Sequence, residues 1–258
     1  MQQNFTMNSL QTLLYFPFKD SDSRNKLLIA SALGFASFII PVIPWILILG
    51  YAGAIMKQII VGKQEPSMPG WKNWNEYFSL GGKLFGVNLI YSIPVFIPMM
   101  VGYFAMMLPA FVEMLSGNPR SFINSGHFMG ITMLSTFAGM VLFGVGMLFS
   151  IVLWVFLPPA LAHVVAKDSF AAGFQFRDWW KIFKANIGGF ILSMVIAGGL
   201  YMALMLVMQI IYMTIILCVL LPFLIAFISA YLVIIIFTLF AQAYRDGVMK
   251  LEEQSITT

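Results

Sequence analysis

Residues 27–56 read LLIASALGFASFIIPVIPWILILGYAGAIM, thirty positions without a charge between Lys26 and Lys57. How this stretch folds decides the helix count and the sidedness of everything after it. As one helix it would be about 45 Å long, and it would need strong tilt to fit a hydrocarbon core of about 30 Å. As a hairpin it turns at Pro41-Val42-Ile43-Pro44 and leaves two short arms. Proline fixes φ and disfavours helix at the residue before it, so a Pro-x-x-Pro pair is a natural break.

Three more stretches lack Asp, Glu, Lys and Arg: residues 84–112, 121–166 and 185–244. About 20 residues carry a helix across the core. The first of these gives one span, interrupted by Pro94, Pro98 and Pro109. The second gives one span after a turn-like start at Ser121, Asn124, Ser125, Gly126 and His127. The third is sixty residues long and holds two.

Basic residues favour the cytoplasmic side of a membrane, and this decides between hairpin and single span. With a hairpin, Lys19, Arg24, Lys26, Lys57, Lys63, Lys72, Lys83, Lys167, Arg177, Lys181, Lys184, Arg245 and Lys250 share one side. Only Arg120 stands opposite, a split of 13 to 1, whereas a single span gives 10 to 4. The expectation is therefore an all-α, integral membrane six-helix bundle with both termini in the cytoplasm. Residues 1–258 form one membrane domain, with a cytoplasmic N-terminal segment over residues 1–26 and a short tail over 245–258. A re-entrant first hairpin would give the same sidedness.

Composition points the same way. Hydrophobic residues make up 60% of the chain and charged ones 9%, against about 25% charge in a soluble domain. That excludes a soluble enzyme, a nucleic-acid-binding domain and a disordered chain. The net charge of +4 is scattered among loops and forms no basic face for nucleic acid. Cys218 is the single cysteine, so no intrachain disulfide can form. The first apolar run begins only after Lys26 and has no small-residue cleavage site, so it is expected to stay as an anchor.

Three charged-side segments are amphipathic. Phe176, Trp179, Trp180 and Phe183 recur at helical spacing, with Arg177, Asp178, Lys181 and Lys184 on the other face. Trp71, Trp74, Tyr77 and Phe78 repeat the pattern against Lys72, Asn73, Asn75 and Glu76, and Leu10, Leu13 and Leu14 do so more weakly before Pro17. Such helices lie in the interface with their rings among headgroups, which marks Trp71, Trp74, Trp179, Trp180 and Phe183 as expected interfacial anchors. Two segments end alike, Lys83-Leu84-Phe85-Gly86-Val87-Asn88 and Lys181-Ile182-Phe183-Lys184-Ala185-Asn186. They suggest three parallel units, each an interfacial helix followed by a helical hairpin.

Gly50-Tyr51 ends an early helix, Pro69-Gly70-Trp71-Lys72-Asn73-Trp74 follows, and residues 160–186 lead from small residues into a Trp/Phe helix. In this order of features the chain resembles the prokaryotic multi-span membrane proteins grouped as domain of unknown function 4013. The resemblance implies an integral membrane six-helix bundle and supplies no catalytic or binding residues.

Few residues invite chemistry. His163 and Asp168 have the His-x-x-x-x-Asp spacing of glycerolipid acyltransferases, in which His acts as base on a hydroxyl. Against that reading, the chain has no alternating strand pattern for the mixed domain that motif needs, and helix capping explains both residues. Met99, Met100, Met106 and Met107, with Met133, Met140 and Met147, recur seven apart. Thioethers can hold Cu(I), but Met is also a gap-filler, and no Cys or His stands near them. Glu113, Arg120 and His127 are the ionisable groups expected outside and read as one solvated loop.

No Asp, Glu, Lys, Arg or His is expected at mid-membrane. That argues against proton-coupled carriers, ion pumps, intramembrane proteases and bis-His haem. Neutral polar residues do fall within spans: Asn88, Tyr91, Ser92, Tyr103, Ser150, Asn186, Ser193, Gln209 and Gln242. Of these, Asn88, Asn186, Gln209 and Gln242 are the candidate intramembrane polar sites, and helix–helix hydrogen bonds are their simplest use. Ala30-x-x-x-Gly34, Gly50-x-x-x-Ala54 and Ser193-x-x-x-Ala197 offer small faces for close helix approach, within the chain or between copies.

The resulting expectation is a non-enzymatic component of the plasma membrane that organises lipid or a membrane protein partner, itself or another. It needs no cofactor, no metal and no nucleic acid. The alternative is a permease or facilitator for an apolar or uncharged solute. An enzyme built on His163 and Asp168 ranks last.

Overall fold

The computed structural model describes residues 7–115, 126–213 and 219–257, and these hold eight α-helices, two 3₁₀ turns and no strand. The helices are α1 (Met7–Tyr15), α2 (Ser21–Ala36), α3 (Ile43–Ile60), α4 (Trp74–Leu115), α5 (Gly126–Lys167), α6 (Phe176–Ala185), α7 (Ile187–Tyr212) and α8 (Leu221–Thr257). The 3₁₀ turns, Phe16–Phe18 and Phe170–Phe174, precede α2 and α6. Residues 116–125 and 214–218, and with them Arg120 and Cys218, lie outside the described residues, as does the side chain of His127.

The chain breaks at the first proline pair. α2 ends at Ala36, and α3 starts at Ile43 with Pro44 in its first turn, where the missing N–H costs nothing. α2 and α3 then pack against each other. Five helices are long and apolar enough to cross a membrane: α3, α4, α5, α7 and α8. The sixth expected span falls short. The Asp20 carboxylate caps α2 at Ser23 (2.7 Å), so the polar residues 21–26 form the first turns of a 16-residue helix. Only residues 27–36 remain to enter the membrane, about 15 Å of helix.

The chain divides into two compact units, residues Met1–Val87 with Pro158–Thr258, and residues Asn88–Leu157. In the first unit α8 packs against α1, α2, α3, α6 and α7. Its core joins Ala30, Ile48, Tyr51, Ile55, Ile59, Ile234, Ile235 and Leu239, all buried. Small residues set the close approaches. A Cβ at Gly34 would stand 3.1 Å from the Ala226 carbonyl oxygen, and one at Gly247 would stand 2.7 Å from that of Ile182. A Cβ at Gly50 would fall on the Tyr77 carbonyl, and one at Gly81 on that of Ile46. Ser193, fully buried, donates to the Leu239 carbonyl at 3.3 Å. All three small-residue faces therefore serve packing within the chain.

In the second unit the ends of α4 and α5 run antiparallel around glycines. Gly102 lies against the Gly139 carbonyl, Gly139 against Met106, and Gly146 against Met99 and the Val95 carbonyl. Met99 and Met106 thus fill glycine notches. Among the described residues no group of three His, Cys, Asp or Glu comes together. Most other side chains here are exposed, Leu134 at 71% and Phe137 at 69%. A surface of that kind is stable only against hydrocarbon.

All three amphipathic segments make contacts within the protein. Trp71 and Trp74 do not belong to a separate interfacial helix. Trp71 lies in a turn, and α4 starts at Trp74 and runs without interruption through 42 residues. α6 is a separate helix, and half of its ring face turns into the protein, with Phe176 left exposed and Trp180 half-buried. Trp179 and Phe183 are buried, and Gly247 lets α6 seat directly on α8. The third, α1, also docks on the protein: Leu13 is buried and Tyr231 donates to the Leu14 carbonyl at 2.9 Å.

Candidate functional site

The polar groups of the first unit gather where α3 and α5 end and α4 and α6 begin, beside the later turns of α8. The last turns of α5 deliver His163 against Tyr244 of α8, and both are 2% exposed. His163 Nδ1 lies 2.6 Å from the Tyr244 hydroxyl, and Nε2 lies 3.3 Å from Gln175 Oε1. A carbonyl oxygen only accepts, so Nε2 carries a proton, and in the neutral imidazole Nδ1 accepts from Tyr244. Both ring nitrogens of a neutral imidazole are then occupied, and no lone pair is left for a substrate hydroxyl.

Asp168 ends α5 in the left-handed region, φ 50°, and the Ser169 N–H loops back to the Val164 carbonyl at 3.3 Å. Its carboxylate receives Lys83 at 2.7 Å and Lys57 at 3.1 Å, and Lys83 also bonds its carbonyl at 2.9 Å. These bonds, that from Lys83 first, hold the carboxyl below the usual carboxylate range. Asp168 thereby ties α3, α4 and α5 together. His163 and Asp168 share no bonding partner among the described residues.

The break between α6 and α7 is Asn186, 6% exposed. Its amide donates to the Ala243 carbonyl at 2.9 Å, and its oxygen accepts from Lys250 at 2.7 Å. Of the other neutral polar residues, Gln209 is exposed, Gln242 is half-buried in the first unit, and Asn88 is half-buried at the start of the second. Ser92 donates to the Asn88 carbonyl at 2.8 Å, a bond within one helix.

The aromatic residues expected as interfacial anchors also make contacts within the protein. Trp71 stacks on buried Tyr51 with ring centroids 4.0 Å apart, and its indole donates to the Lys26 carbonyl at 3.0 Å. Tyr51 donates to Pro69, Tyr77 to Gly70 and Lys26 to Met68, so the segment joining α3 to α4 is pinned at both sides. Trp74, at 41%, is the exposed ring of that group. Trp179, fully buried, donates to the Gly173 carbonyl at 3.2 Å. Half-buried Trp180 lies between Phe176 and Phe183, with Lys184 5.5 Å from its ring.

Beside these bonded groups lies a cleft of about 400 Å³. Its rim carries Lys63 from the segment after α3, Lys167 from α5, Asp178 from α6, and Arg245 and Glu252 from α8. His163 and Tyr244 form part of the wall. Lys63 holds φ 51°, a conformation that costs a non-glycine residue about 1–2 kcal/mol. Arg245 also borders a second cleft of about 550 Å³, with Gln11, Lys19, Glu65 and Gln242. Sequence reasoning used Arg245, Lys63 and Lys167 only as markers of sidedness. The usable signal was that Arg245 is the first charge after sixty uncharged residues, directly following a tyrosine.

An all-helical chain with five membrane-length helices and a polar cleft at their charged ends is a multi-pass membrane protein. Its residues 33–213 match the model of the protein family of unknown function DUF4013, and the chain belongs to that family. Comparison with curated proteins and with solved structures finds no match.

Proposed function

We propose that this protein is a non-enzymatic membrane component that organises lipid, or a partner membrane protein, at its charged face. The observation that supports this most is how the reactive-looking groups are used. His163 is spent on Tyr244 and Gln175, Asp168 on Lys57 and Lys83, and Asn186 on Ala243 and Lys250. What this end still offers is a charged cleft and exposed rings, which is equipment for binding.

In this reading the membrane is the plasma membrane and both termini face the cytoplasm. α2 and α3 act as the first pair of a six-helix bundle, and short α2 makes that pair re-entrant. The three pairs α2–α3, α4–α5 and α7–α8 then form parallel repeats. The permease reading has less support, because exposed Gln209 and buried Asn186, bonded to Ala243 and Lys250, share no path.

Native mass spectrometry of the protein drawn from its own membrane into nanodiscs tests the proposal. A stoichiometric lipid or a co-purifying membrane protein is the expected result. A bare protein that moves an uncharged solute across liposomes overturns it.

A further inference from the structure

We infer that the protein thins the bilayer along α2: the headgroups of the charged side rise there to the level of Lys26, while α7, in the same unit, faces a layer of full depth. This deepens the lipid-organising reading, and rests on it for lipid, and not a partner chain, lying against α2.

Both helices pack on α8, which serves as the ruler. Gly34 of α2 meets the Ala226 carbonyl, and Phe35 stacks on Phe223 with ring centroids 4.6 Å apart. Asn186, the N-cap of α7, donates to the Ala243 carbonyl at 2.9 Å. From Ala226 to Ala243 is about 26 Å of helix, whereas from Gly34 to Lys26 is about 12 Å. The charges of α2 therefore stand about 14 Å further from the charged end of α8 than the start of α7 does. Lys26 is held at that level. Its Nζ donates to the Met68 carbonyl at 2.8 Å, its own carbonyl accepts from the Trp71 indole at 3.0 Å, and Asp22 pairs with it. The elements before α2 stand equally high: Tyr231 donates to the Leu14 carbonyl at 2.9 Å, and the Phe18 ring lies 5.5 Å from its own.

At one depth α2 and α7 thus offer different surfaces. α7 presents Ile187, Ile191 and Val195 just beyond Asn186, all exposed. α2 presents Ser21, Asp22, Arg24 and Asn25, all exposed, and turns apolar only at Leu28 and Ile29. A level headgroup plane cannot serve both. At Asn186 it would sink Asp22, Arg24 and Lys26 into hydrocarbon, deeper than a side chain can snorkel back. At Lys26 it would leave Ile187, Ile191 and Val195 in water. Lipid adapts to mismatch at modest cost, so the bilayer is the part that yields. A hairpin that is re-entrant at ordinary thickness then runs from one headgroup layer to the other.

The test uses the full-length protein with Cys218→Ser and one spin-labelled cysteine, in dioleoylphosphatidylcholine vesicles. Depth is read from the label's accessibility to oxygen against that to a water-soluble nickel chelate. Leu28→Cys lies about 3 Å of helix from Lys26, and Val195→Cys about 13 Å from Asn186. The expected result is a Leu28 label at the headgroup boundary and a Val195 label about 10 Å deeper. Both labels near the bilayer centre would mean a level plane, which overturns the thinning and leaves the lipid-organising reading to its own test. A Leu28 label shielded from oxygen and nickel alike would mean that protein covers α2, which overturns the thinning and lipid's place in that reading together. Ile39→Cys, in the exposed turn after α2, separates thinning from tilt of the whole protein. Its label is expected near the opposite headgroups, and one near the bilayer centre overturns the thinning. Ile29→Cys, exposed at the height of Leu28, decides the matter if Leu28→Cys fails to fold.

Discussion

Gly50 of α3 and Gly81 of α4 meet backbone to backbone: a Cβ on Gly81 would lie 2.8 Å from the Gly50 nitrogen, and one on Gly50 2.9 Å from the Gly81 nitrogen. Each would also overlap a carbonyl of the opposite helix. The atoms in the way are main chain, which no rotamer change can move. Gly50→Ala is therefore expected to cost at least the 1–3 kcal/mol typical of overpacking. Gly82→Ala, one residue on, meets nothing within 4 Å and gains helix propensity. Thermal unfolding in detergent should rank Gly82→Ala at or above wild type and Gly50→Ala well below. Equal melting temperatures would mean that the two helices do not cross there.

The buried pair His163–Tyr244 makes a second prediction. Tyr244→Phe keeps the ring and removes the proton donated to Nδ1, leaving one buried acceptor unmet. A cost of about 1–3 kcal/mol follows. The double variant His163→Phe/Tyr244→Phe leaves neither half of the pair unmet, so its cost should be less than the sum of the singles. Additive losses would show that the two residues stabilise the fold separately.

Asp168 carries the pH prediction. Its carboxyl is held low by Lys83 and Lys57, so the folded state binds this proton more weakly than the unfolded chain. The resulting stability is present above the ordinary carboxylate pKa of about 3.9 and is lost as pH falls through the lower folded value. Asp168→Asn should melt below wild type at pH 7, and the gap should close toward pH 3. The side chain is half exposed, so the gap is about 1 kcal/mol or less. Asp168→Gly, which relieves the positive φ, should melt above Asp168→Ala by about 1 kcal/mol. A pH-independent gap between wild type and Asp168→Asn would remove the ion pairs from the account.

Part of this architecture was legible because local physics writes it into adjacent residues. Pro41 and Pro44 break the first apolar stretch wherever the rest of the chain goes. The 3.6-residue period of Phe176, Trp179, Trp180 and Phe183 marks α6 with almost its observed ends. What the period does not encode is what the ring face meets. Lipid headgroups and the apolar side of α8 ask for the same residues, and Gly247, which decides for α8, lies far along the chain. The period at Trp71–Phe78 is likewise the same for a separate helix and for the first turns of α4. Six spans were read where five helices suffice in length, because the Asp20 cap that starts α2 early also spends two of its turns on polar residues. The cleft was hidden for another reason. Lys63, Lys167 and Arg245 close on one space only through the packing of α3, α5 and α8, and no motif joins them.

The two adjacent tryptophans of α6 separate the two meanings of that ring face. Trp179 is fully buried and donates its indole proton to Gly173, whereas Trp180 is half-buried between Phe176 and Phe183. If α6 is held by the protein, Trp179→Ala opens a cavity and strands a carbonyl, at a cost of about 3–5 kcal/mol. Trp180→Ala loses ring stacking and the Lys184 contact, about 1 kcal/mol. Protease cleavage after Arg177 and Lys181 should then rise sharply for Trp179→Ala and little for Trp180→Ala, equally in detergent and in nanodiscs. If headgroups hold α6 instead, the two variants should loosen it alike, and protection should depend on the bilayer. That second pattern would return Trp179 to the interface and dissolve the seat of α6 on α8.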